Sequence, residues 1–289
     1  MYGLMLRRVV GTSALLRDFL MIDCGISRKM LAQVKQAGLI LVNGEPKTVR
    51  YTVSVGDEVT VHFPSEQPSE TMVRSSRPLT VLYEDEWMLA VDKPAGIATI
   101  PSRLHPIDTL ANAVLGYYQA IQLDSAIHVI NRLDRDTSGV VLFAKYAYVH
   151  HRFSELQKQG GLTRTYTALI EGEIEPQTID APIGRAEHSI MERVVTPDGQ
   201  RAVTHVRQTV SHGDVSALTI QLETGRTHQI RVHLRHLGYP LIGDTMYGGN
   251  TRLPRHALHS LDATFHHPLT DELLTVTAPI PEDFRQLLI

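Results

Sequence analysis

Asn131-Arg132-Leu133-Asp134-Arg135-Asp136-Thr137-Ser138-Gly139 runs directly into Val140-Val141-Leu142-Phe143, a heavily charged loop followed at once by four apolar residues. The apolar run is short and is entered through Thr-Ser-Gly, so it reads as a buried strand. That strand fixes one end of the loop, and Asp134 lies close to the fixed end. A carboxylate flanked by Arg132 and Arg135 is expected to have its pKa drawn below the ordinary value of about 3.9, so it is ionised at neutral pH. It then suits a nucleophile or a base, not a general acid. The plainer reading is a surface loop in which Asp134 is an arginine partner and Thr137-Ser138-Gly139 a turn. On these residues alone both readings stand.

Short apolar or alternating runs recur at residues 80–83, 88–92, 140–145, 163–171, 204–210, 216–223 and 273–278. Turn-forming residues surround them, so each reads as a strand. Residues 148–159 carry a helical pattern. Strands outnumber helices without alternating strictly with them. The expected fold class is therefore α+β, built around an antiparallel or mixed sheet rather than a doubly wound one.

A second segment stands apart from ordinary core, Leu222-Glu223-Thr224-Gly225-Arg226-Thr227-His228-Gln229-Ile230-Arg231-Val232-His233-Leu234. Gly225 permits a sharp strand exit, Thr227 fits an N-cap, and the helix is expected to run to about Leu237 with Gly238 as its stop. Ile230, Leu234 and Leu237 then face the core. His228, Arg231 and Arg235 form a cationic stripe on another face beside the helix N-terminus, a setting suited to phosphate. A merely solvated basic face is the competing reading.

The clearest seam is residues 64–78, where three Pro and four Ser fall among 15 residues without apolar periodicity. This reads as a linker and divides the chain into domains at 1–63 and 79–289. In the first, residues 14–22 are expected to be helical with Leu15, Leu16, Phe19 and Leu20 on one face. Ser27 is expected to cap a second helix that Gly38 ends. Residues 40–42, the pair Asn43-Gly44 and residues 53–63 suggest short strands joined by a tight turn.

Composition bounds the possibilities. With 43% hydrophobic and 20% charged residues, disordered, collagenous and disulfide-scaffold classes are excluded. No run approaches the roughly 18 uncharged apolar residues of a membrane helix, and Arg7 and Arg8 interrupt the start too early for a signal peptide. The single Cys24 excludes an internal disulfide and a multi-thiolate zinc site. A cytoplasmic protein is expected. The net charge of −3 hides a +3 segment at residues 1–64, and beyond it 17 Arg stand against 3 Lys. Arginine is the residue suited to bidentate phosphate recognition and base stacking. Nucleotide-binding glycine loops, nucleophile elbows and zinc-protease motifs are missing from the sequence. His228, His233 and His236 do not share one helical face, so no metal is expected.

With these residues in view, Asn131 to Gly139 closely resembles the signature of the RluA-type pseudouridine synthases, which usually reads His-Arg-Leu-Asp-x-x-Thr-Ser-Gly. Thr165-Tyr166-Thr167-Ala168-Leu169-Ile170-Glu171-Gly172 resembles the family's tyrosine motif, and Gly225 to His233 its third motif. Gly243-Asp244-Thr245-Met246-Tyr247-Gly248, Arg255-His256-Ala257-Leu258-His259 and Asp92-Lys93-Pro94-Ala95-Gly96 match further blocks, so the resemblance spans residues 79–289 in family order. Asn131 and Arg164 depart from it, where His and Lys are common. Residues 14–63 are similar to a ribosomal protein S4-like domain, through Ser27-Arg28, the basic helix with Lys29 and Lys35, Val42-Asn43-Gly44 and Gly56-Asp57-Glu58-Val59.

The resemblance implies a pseudouridine synthase catalytic domain with a mostly antiparallel or mixed sheet, preceded by a small S4-like α/β RNA-binding domain. It implies isomerisation of uridine to pseudouridine in RNA without a cofactor. Asp134 would be the essential carboxylate, either attacking C1′ or removing a sugar proton to give a glycal-like intermediate. Arg226 would pair with it, Tyr166 would stack on the target ring, and Arg132 would fill the place of the flipped nucleotide. Arg135, His228, Arg231 and Arg235, with Ser27, Arg28, Lys29 and Lys35 of the first domain, are the expected RNA contacts. Large-subunit ribosomal RNA is the favoured substrate with transfer RNA as the alternative, and a monomer is expected. The competing classes are a catalytically silent RNA-binding or ribosome-assembly factor, and a metal-dependent hydrolase using the histidines.

Overall fold

In a computed structural model the chain folds around two main sheets that share a core, with two further two-stranded pairs. The structure describes residues 2–69, 71–103 and 105–288. Met1 and Ile289, the outer ends of the two expected domains, and Glu70 in the expected linker lie outside the described residues.

The first unit contains β1 (Tyr2–Val9), β2 (Ala14–Leu15), α1 (Leu16–Ile22), α2 (Arg28–Ala37), β3 (Leu39–Val42), β4 (Glu45–Pro46), β5 (Thr52–Val53) and β6 (Glu58–Pro64). Its sheet runs β1-β6-β3-β4. In β1, Leu4 and Leu6 point inward while Met5 and Arg7 stay exposed, the period-two pattern of a half-buried strand. The first helix begins later than its pattern suggests, because Ala14 and Leu15 pair with Val53 and Thr52. Its first amides donate to loop carbonyls instead of a cap: Leu16 N to Tyr51 O and Arg17 N to Val49 O. Ser27 does cap α2, its hydroxyl accepting from Met30 N at 3.3 Å. The Asn43-Gly44 turn has both residues at positive φ, 51° and 82°, which suits a two-residue hairpin. The Asn43 side chain then bonds Asp57 and the amide of Glu58, so the two motifs that resemble an S4 domain meet.

The second unit has β7 (Thr80–Glu84), β8 (Met88–Lys93), α3 (Leu110–Ala120), β9 (His128–Val129), β10 (Ser138–Ala144), α4 (Ala147–Lys158), β11 (Leu162–Glu171), β12 (Gln177–Asp180), β13 (Ile183–Arg185), β14 (Arg193–Val195), β15 (Val203–His212), β16 (Val215–Leu222), α5 (Gln229–His236), β17 (Leu258–His266), β18 (Leu273–Thr277) and α6 (Glu282–Arg285). Ten strands form one sheet in the order β12-β15-β16-β11-β17-β10-β8-β7, with β18 beside β17 and β9 beside β10. It is antiparallel except where β10 meets β17. The α+β architecture is as expected.

Both faces of its centre are covered, which explains the continuous apolar runs. Val140, Leu142, Met88 and Ala90 face one core cluster, and Val141, Phe143, Leu89 and Val91 face the other. The first cluster also takes in Leu4, Leu6, Phe19, Leu20, Val61 and Phe63 of the N-terminal unit. Phe63 and Tyr148 stack at 5.1 Å between centroids, the Tyr148 hydroxyl donates to Cys24 O at 2.5 Å, and Arg8 Nη2 donates to Leu269 O at 3.3 Å.

Residues 65–69 and 72–79 carry no regular structure, in keeping with a connector, but they are pinned as a strap rather than free. Glu66 accepts from the amide of Ala147 at the start of α4 and pairs with His128. Asn112 in α3 donates to Val73 O and accepts from Ser75 N through its carbonyl. The strap passes so close to α3 that a Cβ at Gly116 would fall 2.0 Å from Ser75 O.

Candidate active site

The loop that ends in β10 is held from three sides. Gly139 lies at φ 108°, and a Cβ there would sit 2.1 Å from Ser260 O of the parallel neighbour β17, so no other residue fits this crossing. Upstream, Asn131 is buried with its amide spanning the backbone of β10, donating to Val140 O and accepting from Leu142 N. The departure from the family pattern at this position therefore falls on a structural contact. Leu133 exchanges two hydrogen bonds with the Thr99 hydroxyl. Lys93 is wholly buried and gives its ammonium to three carbonyls, Pro94, Ile97 and Arg135, each at 2.9 Å. Burial pushes its pKa down to about 7. From the other side Arg255 donates to Asp136 O, Thr137 bonds His256 at 2.7 Å and Ser138 bonds His259 at 2.9 Å.

Asp134 emerges from this clamp a quarter exposed, and the cation that meets it is Arg231, Nη1 to Oδ2 at 3.2 Å. Arg231 is itself buried and its other edge forms a bidentate pair with buried Asp244, at 2.8 and 2.9 Å. Its guanidinium also lies 4.9 Å from the centroid of the Tyr247 ring. His228 Nε2 stands 3.8 Å from Asp134 Oδ2, while its Nδ1 shares a hydrogen bond with the Tyr247 hydroxyl at 2.8 Å. Burial lowers the His228 pKa, so the ring is neutral near pH 7. Tyr166, from β11, is buried below this group. Its phenol is raised above its ordinary pKa by burial, with Arg164 and the Ser260 hydroxyl acting the other way and Asp134 adding to the rise. A part-exposed carboxylate and a fixed guanidinium thus meet near a buried, protonated phenol.

Several expectations are corrected here. Arg226 does not meet Asp134: its Nε donates to Arg201 O at 2.9 Å and the side chain is exposed on the rim. Arg231, expected among the RNA contacts, is spent on the two carboxylates instead. Neither Arg132 nor Arg135 supplies the carboxylate's partner; Arg135 donates to Gly96 O and Arg132 is exposed. The helix does not begin at Thr227. His228 takes the N-cap place at φ 59°, without a capping side chain, and α5 starts at Gln229. Buried Gln229 does the fixing, accepting from Thr224 Oγ1 and Arg226 N and donating to Val203 O and Thr204 Oγ1. That fully used amide holds the turn that delivers Arg231.

Ser27 is occupied as the helix cap, whereas Arg28, Lys29 and Lys35 are exposed on α2. Arg235 is exposed, 5.7 Å from the Tyr247 centroid. The three histidines are separated: His233 is buried between Thr204 and Ala181 O, His228 faces Asp134, and His236 is exposed. Among the described residues no group of three His, Cys, Asp or Glu is placed to hold a metal ion, and no helix is long and apolar enough to cross a membrane. Asp244, Tyr247, Lys93 and His256 sit in blocks already visible in the sequence, but their roles depend on pairings across the fold.

Comparison with known proteins gives the class, an RNA-modifying isomerase. Residues 88–236 match the sequence model of the RNA pseudouridylate synthase family. YjbO of Bacillus subtilis (strain 168), an RNA pseudouridine synthase named as uncharacterized, is 46% identical over 270 residues, covering 92% of this chain and 95% of its own. Ribosomal large subunit pseudouridine synthase D of Xanthomonas campestris is 36% identical over 278 residues, covering 91% and 84%. Among solved structures, human RNA Pseudouridylate Synthase Domain Containing 1 is 25% identical with a TM-score of 0.57, covering 71% of this chain and 84% of its own. The chain belongs to the RNA pseudouridylate synthase family, and it is an RNA pseudouridine synthase.

Proposed function

We propose that this enzyme isomerises uridine in large-subunit ribosomal RNA, with Asp134 as the essential carboxylate. The substrate reading is supported by relatives from Xanthomonas, Pseudomonas and Vibrio named ribosomal large subunit pseudouridine synthase D, at 36, 35 and 33% identity. The catalytic reading is carried by one observation, the grip of Arg231 on Asp134 from a guanidinium already fixed by Asp244.

The reaction breaks the N1–C1′ bond, turns the detached uracil, joins C5 to C1′ and moves the C5 proton to N1, so no atom is gained or lost. A carboxylate held beside C1′ serves either route: attack on C1′ or removal of a sugar proton. A guanidinium that cannot swing away keeps it aimed, and fixed geometry of this kind lowers the barrier without reorganisation during reaction. Tyr166 forms the floor for the uracil and stays protonated. Exposed Arg132 fills the gap that the flipped nucleotide leaves, offsetting an unstacking cost of a few kcal/mol. Arg135, His228, Arg235 and the rim residue Arg226 line the approach. Arg28, Lys29 and Lys35 on α2 make the N-terminal unit an S4-like phosphate-binding module. The proposed enzyme acts as a monomer in the cytoplasm.

The deciding experiment is tritium release from unmodified large-subunit ribosomal RNA labelled at uracil C5. Wild type should release tritium. Asp134→Ala should release none while binding RNA within a few-fold of wild type. Release by the variant, or loss of binding that matches the loss of rate, would sink the role given to Asp134.

A further inference from the structure

We propose that Arg164 is a phosphate-binding residue of the RNA site and receives the backbone phosphate beside the target uridine. This rests on the reading above that the target ring lies on Tyr166. Arg164 precedes Tyr166 by two positions in β11, so both side chains leave the same face of the strand. The strand register shifts on the β17 side between Thr165 and Tyr166, a bulge that increases the local twist between the two positions. The guanidinium then lies against the rim turn at Gly225, where a built Cβ would come within 3.3 Å of Nη1. A glycine at the mouth of the site leaves that room free.

Two arginines have an Nε shielded from solvent without an acceptor among the described residues: Arg152, whose guanidinium lies against Gly25 of the N-terminal unit, and Arg164, which alone of the two lies beside Tyr166 and Gly225. Four arginines elsewhere in the fold have a carboxylate partner: Arg231 has Asp134 and Asp244, Arg201 has Glu223, Arg255 has Asp283 and Arg252 has Asp214. A shielded guanidinium N–H without an acceptor is costly, and the cost is recovered when a ligand supplies a strong one. The strong acceptors of a polynucleotide are its phosphate oxygens. A nucleotide with its ring on Tyr166 and C1′ at Asp134 carries a phosphate one sugar away, and Arg164, two positions from Tyr166 on the same strand, is the cation to which we assign it. The planar fork matches two phosphate oxygens at once, which an ammonium cannot do. Arginine rather than the family's commoner lysine at this position fits that use.

The test uses the full chain and a fluorescein-labelled 12-nucleotide oligouridylate, with binding followed by anisotropy across a salt series. Arg164→Gln should weaken binding five- to tenfold at low salt and reduce the slope of log affinity against log salt by about 0.7, one phosphate contact to a single strand. Arg164→Lys should weaken binding two- to threefold and keep the slope. Arg252→Gln, which removes a guanidinium already held by Asp214 and Glu171, should match wild type. An unchanged slope in Arg164→Gln would overturn the proposal, and a loss of affinity without a change of slope would assign the guanidinium to a uracil carbonyl instead. The binding assay decides this whether or not ribosomal RNA proves to be the substrate, because tritium release by wild type tests that separately.

Discussion

Arg231 Nη1 lies 3.2 Å from Asp134 Oδ2 although 97 residues separate them, and Arg231 reaches that far only because Asp244 grips its opposite edge. The guanidinium is therefore shared between a carboxylate that anchors it and one that it serves. Removing the anchor leaves a buried cation half-matched, at a cost of about 3–5 kcal/mol. Asp244→Ala should lower the unfolding free energy by that amount in urea denaturation. Arg231→Lys keeps the charge but loses the fork. Its single-turnover rate should fall about 10²-fold through misplacement of Asp134. A lysine variant as fast as wild type would show that charge alone suffices.

The histidines behind the loop set an acid limit. Burial lowers His256 and His259 to about 4, from 6.5 in the unfolded chain. Between those pH values the unfolded chain binds protons that the folded chain refuses, so stability is complete above about 6.5 and is lost as pH falls toward 4. Each histidine contributes on the order of 3 kcal/mol across that window. His256→Asn can still bond Thr137 but does not titrate. Denaturation midpoints from pH 4 to 7 should therefore vary less steeply in this variant, and an equal pH dependence would place the acid sensitivity elsewhere.

Gly139 is required by two constraints at once, its φ of 108° and the 2.1 Å approach of Ser260 O to a Cβ. Gly139→Ala should cost about 1–3 kcal/mol from backbone strain, with the clash against Ser260 O adding to it. It should also push β10 off β17, moving Asp134. Soluble expression and thermal melting test this directly, and an alanine variant that melts like wild type would mean the crossing can shift freely.

Much of this was legible in the chain, and what was missed has physical causes. The strands around Val140 to Phe143, the Ser27 cap and the Asn43-Gly44 turn follow from local rules, because their partners are near in sequence or are the backbone itself. Strand β1 went unremarked although Leu4, Leu6 and Val10 alternate with exposed Met5 and Val9, since Arg8 interrupts the apolar face. Asp134 stands out in the sequence as a carboxylate among arginines, but Arg231 does not stand out as its partner. Arg226 and Arg231 share one motif, and choosing between them depends on the Gln229-braced turn and on Asp244, neither of which spacing reveals. The Pro- and Ser-rich composition of residues 64–78 says nothing of their anchoring by Glu66 and Asn112, which depends on contacts with distant helices.

The shared core changes what can be asked of the N-terminal unit. Removing residues 1–64 would uncover Met88, Ala90, Val140, Leu142 and Phe153, which pack with its apolar residues, so truncation tests folding before it tests RNA binding. Charge substitution separates the two. Arg28, Lys29 and Lys35 are exposed on α2, and replacing all three by Gln removes no buried contact. The triple variant should melt within a degree or two of wild type, since surface changes stay within about 0.5 kcal/mol each. If α2 lies along the RNA backbone, the slope of log affinity against log salt should fall by about 2, at 0.7–0.9 per contact. Salt titrations of ribosomal RNA binding read this directly. A slope equal to wild type would move the phosphate contacts to the arginine rim around Gly225, and the N-terminal unit would then act as a brace for the catalytic sheet rather than as an RNA-binding module.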